Sequence, residues 1–107
     1  MKKGIMIASN EEKLFTETGQ KIKGAEQGQL FGKACFKING KAFICFFQQC
    51  MVFKLTGKEH TEALSLDGAQ LFDPSGKDRP MKEWVQVPFD YKVKWLPFAK
   101  AAYNYVK

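Results

Sequence analysis

The stretch FGKACFKINGKAFICFFQQCMVFKL, residues 31–55, decides the fold of this chain. Apolar and polar residues alternate along it in short runs, which is typical of antiparallel β-strands. Asn39-Gly40 lies between the first two runs and favours a type I′ hairpin, because both central residues of that turn need a positive φ. The stretch therefore predicts a meander of three strands, with Ile38 opposite Lys41 at the first turn.

Successive side chains of a strand point to opposite faces of the sheet, so the meander has two distinct faces. In this register Phe36 lies opposite Phe43, and both point towards the core. Cys35 and Cys45 point to opposite faces, which predicts that they cannot form a disulfide. The core face of the first two strands comprises Ala34, Phe36, Ile38, Phe43, Cys45 and Phe47.

The second turn of the meander has two possible lengths. A three-residue loop, Gln48-Gln49-Cys50, keeps the apolar residues of the third strand on the core face. A two-residue loop slips the register by one residue, which turns Lys54 inward and Phe53 outward. Because burying a lysine without a partner is costly, we predict the longer loop. Cys50 is then exposed at the tip and is the one candidate for a reactive thiol.

The opposite, outer face of the meander mixes lysines with apolar residues and has two interpretations. Lysine stems cover a partly solvated apolar centre, or the centre is a binding or dimer surface with a polar rim. The second interpretation predicts that Phe46→Asp abolishes a dimer without unfolding the chain. The candidate partner surface comprises Ile44, Phe46, Val52 and, from a later strand, Trp84.

The flanking sequence completes the predicted fold. Ser9 and Asn10 precede two glutamates, which is typical of a helix start, and Gly24 follows the end of that helix. The later elements are a short helix at Lys58–Leu66, a strand at Ala69–Phe72, a turn at Asp73–Gly76, a strand at Glu83–Val87 and a helix at Val93–Val106. The order α-β-β-β-α-β-β-α predicts an α+β, two-layer sandwich with an antiparallel five-stranded sheet. We expect residues 1–107 to form one domain, with residues 1–8 as a flexible tail.

The charge balance limits the classes of partner that the chain is expected to bind. Seventeen basic and eleven acidic residues give a formal net charge of +6. Arg79 is the only arginine, and an excess of lysine is more typical of solubility than of recognition through arginine's planar fork. Nucleic-acid binding is nevertheless a second hypothesis, with Trp84 available for stacking. Its candidate contacts are Lys33, Lys37, Lys54, Arg79 and Lys82.

The chemistry-bearing residues do not form a recognisable catalytic, cofactor or metal pattern. His60 is the only histidine and is expected at the surface, and the three cysteines lack the spacing of a zinc site. We therefore expect a protein that is not an enzyme and has no cofactor. No apolar run is long enough to span a bilayer, and residues 1–8 do not resemble a signal peptide, which predicts a cytoplasmic protein.

Several features are similar to the TfoX N-terminal domain family and its YjbR/MmcQ-like relatives. They are Phe31-Gly32-Lys33, the strand pair around Asn39-Gly40, Leu55 before a short helix, and Trp84-Val85-Gln86-Val87-Pro88 before a tryptophan-bearing helix. The resemblance spans Glu11–Val106 and implies a small sandwich of the secretion-chaperone-like type. TfoX proteins are bacterial competence regulators with a second, C-terminal domain, which is not expected in this chain. DNA binding is suggested for some YjbR-like domains.

Two functional hypotheses follow. The first is a non-enzymatic binding or regulatory domain that acts through protein–protein contacts, either with an unknown partner or by self-association. The alternative is a nucleic-acid-binding regulator that uses the lysine-rich surface. A membrane partner is not expected.

Overall fold

The computed structural model describes residues 9–107, and the tail predicted for residues 1–8 lies outside them. The helices are α1 (Asn10–Gln20), α2 (Gly57–Leu64) and α3 (Trp95–Val106), with a 3-10 helix at Phe89–Lys94. The strands are β1 (Glu26–Leu30), β2 (Lys33–Ile38), β3 (Lys41–Phe47), β4 (Cys50–Lys54), β5 (Gln70–Phe72) and β6 (Met81–Val87). Within this part of the chain, no helix is long and apolar enough to cross a membrane.

The strands form one antiparallel sheet in the order β1-β2-β3-β4-β6-β5. The three α-helices contact one face of it, which we call the helix face, and the other is the outer face. The α+β class is confirmed, but the prediction of five strands is wrong because β1 adds a sixth. Its sequence, Glu-Gln-Gly-Gln-Leu, has no apolar alternation because most of its side chains are exposed.

The first four strands are joined by three two-residue turns in which every residue has a positive φ. The turns are Phe31-Gly32, Asn39-Gly40 and Gln48-Gln49. The second was predicted from its sequence. The third contradicts the three-residue loop, because Cys50 pairs with Phe47 and belongs to β4. Glutamine rarely adopts a positive φ, so Gln48-Gln49 carried no signal for this turn.

A β-bulge in β3 changes the faces of the meander. In the register of β2 and β3, Lys37 is paired with Ala42. The next pair joins Phe36 to Ile44, which leaves Phe43 as an extra residue of β3. Phe43 and Ile44 are both buried in the cluster beneath the helices. The predicted pair of Phe36 with Phe43 is therefore wrong, whereas the pair of Ile38 with Lys41 is confirmed.

Beyond the bulge, the predicted faces of β3 are reversed. Cys45 and Phe47 were expected in the core but belong to a cluster on the outer face. Phe46 was expected on the outer face but packs against the cluster on the helix face. The bulge also compensates for the two-residue turn, because each of them shifts the register by one residue. Together the two shifts return the side chains of β4 to the faces predicted for them. Phe53 is therefore buried on the helix face, and Lys54 does not enter the core.

The main core lies between the sheet and helices α1 and α3. Phe15 of α1 packs on Phe36, with ring centroids 5.3 Å apart, and Phe98 of α3 packs on Phe53 at 5.6 Å. Trp95 of α3 is fully buried. Each such side chain contributes roughly 1.5–3 kcal/mol by leaving water.

The ends of the elements follow local signals. Ser9 caps α1, because its Oγ accepts a hydrogen bond from the Glu12 N–H at 3.1 Å. Pro97 lies in the first turn of α3, where its missing N–H breaks no helical bond. Helix α3 starts two residues later than predicted because the chain first forms the 3-10 helix.

We predict that Gly19→Ala destabilises the protein although alanine favours helices. A Cβ at Gly19 would overlap with the ring of Phe36, which is buried and has no room to swing away. The clash outweighs a helix-propensity gain of about 1 kcal/mol, so we expect a loss of roughly 1–3 kcal/mol in the free energy of unfolding. Urea denaturation measures it. Gln20→Ala, at the exposed neighbouring position, is the control and should change stability by less than about 0.5 kcal/mol. Equal stability of Gly19→Ala and wild type would refute the proposed contact.

Candidate interaction surfaces

The predicted partner surface does not exist as one surface, because its members lie on opposite sides of the sheet. Ile44 is fully buried beneath the helices. Phe46 is half-buried and packs on Phe15 of α1, with ring centroids 5.5 Å apart. Val52 and Trp84 do lie on the outer face, as predicted, but both are buried. The sequence prediction failed at Ile44 and Phe46 because the bulge reverses the faces of β3.

The centre of the outer face is closed by its own side chains. The buried cluster there comprises Cys35, Cys45, Val52, Phe72 and Trp84. Phe72 packs edge-on against Phe47, at 5.2 Å between ring centroids. Two lysines cover the rim: Lys33 Nζ lies 5.0 Å from the centre of the Phe47 ring, and Lys54 Nζ lies 6.0 Å from that of Trp84. This geometry favours the interpretation in which lysine stems cover an apolar centre.

We predict that Phe46→Asp destabilises the fold instead of acting only on a dimer. The substitution places a charge against Phe15 and removes an aromatic contact, which should lower the free energy of unfolding by roughly 2–4 kcal/mol. Phe31→Asp is the matched control, because Phe31 is exposed and aspartate tolerates its positive φ. Thermal unfolding of both variants measures the difference. A Phe46→Asp variant that melts like the wild type would restore the surface interpretation of this residue.

The cysteines differ from their predicted positions. Cys35 and Cys45 are directly paired across β2 and β3, and both belong to the outer cluster as free thiols. The expectation that they point to opposite faces is wrong, again because of the bulge. Burial raises the pKa of the Cys45 thiol to about 12, and the neighbouring Cys35 makes a smaller contribution in the same direction. Burial also raises the pKa of Cys35. Both are therefore protonated at neutral pH.

Cys50 is half-buried in β4 and not exposed at a loop tip. Burial raises the pKa of its thiol, and a hydrogen bond from the Gln86 side chain acts in the opposite direction. Its thiolate fraction at neutral pH is therefore smaller than that of a free cysteine.

We predict a fixed order of thiol alkylation. In the folded protein at about pH 8, iodoacetamide should modify Cys50 alone, and more slowly than free cysteine, because its pKa is raised. Cys35 and Cys45 should react only after denaturation, since both are buried. Mass spectrometry of tryptic peptides measures the order, and Cys50→Ser should leave the folded protein unlabelled. Labelling of Cys45 under native conditions would contradict the closed outer face.

Three of the candidate nucleic-acid contacts lie on the outer face of the sheet. Lys33, Lys37 and Lys54 lie on β2 and β4, and Lys54 is within 3.9 Å of a Glu83 carboxylate oxygen. Arg79 is exposed in the loop between β5 and β6, and Lys82 is exposed in β6. Two of these lysines already cover aromatic rings of this chain, and Lys54 also lies beside the Glu83 carboxylate, so they are partly engaged within the chain.

The loop between β5 and β6 is organised by the Asp73 carboxylate. It accepts hydrogen bonds from Ser75 Oγ at 2.7 Å and from the backbone N–H groups of Ser75, Gly76 and Arg79 at 3.1–3.2 Å. These bonds, the Ser75 hydroxyl first, lower the pKa of Asp73. The predicted turn is confirmed. Its carboxylate is occupied by the loop and is therefore poorly placed as a general base.

His60, which the sequence placed at the surface, is only half-exposed and joins two elements. Its Nε2 donates a hydrogen bond to the backbone carbonyl of Lys82 at 2.7 Å, which ties α2 to the start of β6. The two residues are 22 positions apart in sequence, so no local sequence pattern predicted this contact.

A groove of about 360 Å³ lies on the outer face beside the Asp73 loop. Three amide side chains, Gln48, Gln70 and Gln86, line it together with Phe47. Gln86 is 6% exposed and is one of the few buried polar residues. The groove offers hydrogen bonding by neutral amides rather than acid–base chemistry.

The outer edge of β1 is one of the two free edges of the sheet, and the other belongs to the three-residue strand β5. Leu30 and Lys33 flank a two-residue turn, so they form a hydrogen-bonded pair, and such pairs alternate along the hairpin. The N–H and C=O groups of Gln27 and Gln29 therefore point away from β2. Within residues 9–107, no strand pairs with this edge. Phe31, the first residue of the turn that follows β1, is 57% exposed.

Comparison with known protein families, with curated proteins and with solved structures finds no significant match to this chain. The resemblance to the TfoX N-terminal domain family therefore stays a prediction.

Proposed function

We propose that this chain is a non-enzymatic binding domain that acts through protein–protein contacts at the outer edge of β1. The observation that carries the proposal is the row of outward N–H and C=O groups at Gln27 and Gln29, which a further strand would complete. Exposed edges of this kind are templates for pairing with another chain.

The edge lacks several of the features by which proteins protect free edges, although Glu26 places one charge on it. Strand β1 has five residues in unbroken register with β2, without a bulge. It contains no proline and no lysine, which are common on protected edges. The exposed ring of Phe31 adds an apolar contact beside the polar backbone row. Affinity would come from main-chain hydrogen bonds, and specificity from the side chains that flank them.

A regulatory role for this binding rests on the resemblance to the TfoX N-terminal domain family and is part of the proposal. The two faces of the sheet favour the edge as the binding surface, because the helices cover one face and an aromatic cluster fills the centre of the other.

We predict that Gln29→Pro abolishes partner capture without unfolding the chain. Proline removes the outward N–H of residue 29 but leaves the bonds between β1 and β2 intact, since proline is tolerated on edge strands. Gln29→Ala is the matched control, because it removes the side chain and keeps the N–H. Affinity capture from lysate with quantitative mass spectrometry should give proteins retained by wild type and Gln29→Ala and lost with Gln29→Pro. The same captured proteins with all three baits would refute the edge as the binding surface.

Nucleic-acid binding is the second candidate function, favoured by the net charge of +6. Fluorescence anisotropy with labelled duplex and single-stranded DNA tests it at low and physiological salt. Because Lys33 and Lys54 already contact groups of this chain, we expect binding that disappears at physiological salt, where screening removes weak phosphate contacts. Micromolar binding that survives this salt and weakens in Arg79→Ala or Lys82→Ala would instead support the nucleic-acid hypothesis.

A further inference from the structure

We propose that the partner of the β1 edge is a second copy of this chain, paired antiparallel about a two-fold axis at Gly28. This inference rests on the proposed function of the edge. In the paired register, Gln27 lies opposite Gln29 of the partner subunit, and the two sheets join into one. The observation behind it is that the five residues of β1 are complementary to themselves in this register.

The hydrogen bonds follow from the backbone directions. Gln27 and Gln29 both turn their N–H and C=O groups outward, so each forms a hydrogen-bonded pair with the other residue of the second copy. The two pairs supply four main-chain bonds. The N–H and C=O of Gly28 point to β2, which makes the central contact between the two Gly28 residues a non-hydrogen-bonded pair.

The side chains fit the same axis. Glu26 lies opposite Leu30 of the partner subunit, so the two glutamates do not face each other. No other register within β1 combines both outward pairs with this separation of the glutamates. Self-pairing therefore uses every outward backbone group of the strand.

Charge opposes this dimer and gives it a recognisable salt dependence. Each chain carries a net charge of +6. The Lys37 side chain lies across the outer face of Gly28, with its Cε 3.1 Å from where a Cβ would be, so the two Lys37 ammonium groups approach each other at the axis. Screening by salt should strengthen the dimer. Nucleic-acid binding has the opposite dependence, because it releases counterions and weakens as salt rises.

Cysteine cross-linking tests the register in the full chain with Cys50→Ser. Gly28→Cys should give a disulfide-linked dimer under glutathione disulfide, because non-hydrogen-bonded partners have Cα atoms about 4.5 Å apart, within disulfide reach. The added Cβ meets only the flexible end of Lys37. Glu26→Cys is the matched control on the same face, since its two copies would lie about 13 Å apart along the strands. It should not cross-link.

Sedimentation equilibrium tests the affinity and its salt dependence in the wild-type chain. We expect dimerisation that strengthens as salt rises from about 0.01 M to about 1 M, over which the screening length falls from ~30 Å to ~3 Å. Gln29→Pro removes two bonds across the axis and should weaken dimerisation by roughly tenfold or more, whereas Gln29→Ala should not.

Cross-linking of Gly28→Cys together with a Glu26→Cys variant that stays monomeric supports the dimer. Cross-linking of both variants or of neither overturns the register, and a wild type that is monomeric at every salt concentration overturns the dimer. If the chain is monomeric but Gln29→Pro still loses captured proteins, the edge binds a different chain and the proposed function stands. If Gln29→Pro changes neither property, both proposals fail.

Discussion

The bulge at Phe43 is the constraint on which the rest of the sheet depends. One extra residue in β3 places Phe43 and Ile44 together on the helix face and reverses every later side chain of that strand. Without it, the two-residue turn at Gln48-Gln49 would turn Lys54 into the core. The bulge and the turn are therefore coupled. Either one without the other would turn Lys54 towards the helix face, whereas the two together bury Phe53 there.

The same bulge builds the second cluster of the protein. It brings Cys45 and Phe47 to the outer face, where Cys35 and Phe72 pack with them. A sheet whose outer face carries such a cluster has little apolar surface left at the centre of that face. Binding through the apolar centre of either face would therefore require side chains that already stabilise the fold.

The sequence predicted what local signals encode and missed what depends on distant strands. The Asn39-Gly40 hairpin, the Ser9 cap and the turn at Asp73 were predictable because their residue types favour those geometries in isolation. The bulge was not, since Phe43 and Ile44 are both apolar and fit either register. Strand β1 was missed because Gln27 and Gln29 are exposed, so its formation depends on pairing with β2 and not on burial.

The candidate site changed for the same physical reason. Alternation assigned Ile44 and Phe46 to a surface, and one inserted residue moved them beneath the helices. A backbone edge is insensitive to such an error, because its hydrogen-bonding groups are present whatever the side chains are. The two-residue length of the turn at Phe31-Gly32 determines which backbone groups of β1 point away from β2, and this length does not depend on the bulge. The proposed binding edge therefore lies in the part of the sheet whose geometry the core cannot reverse.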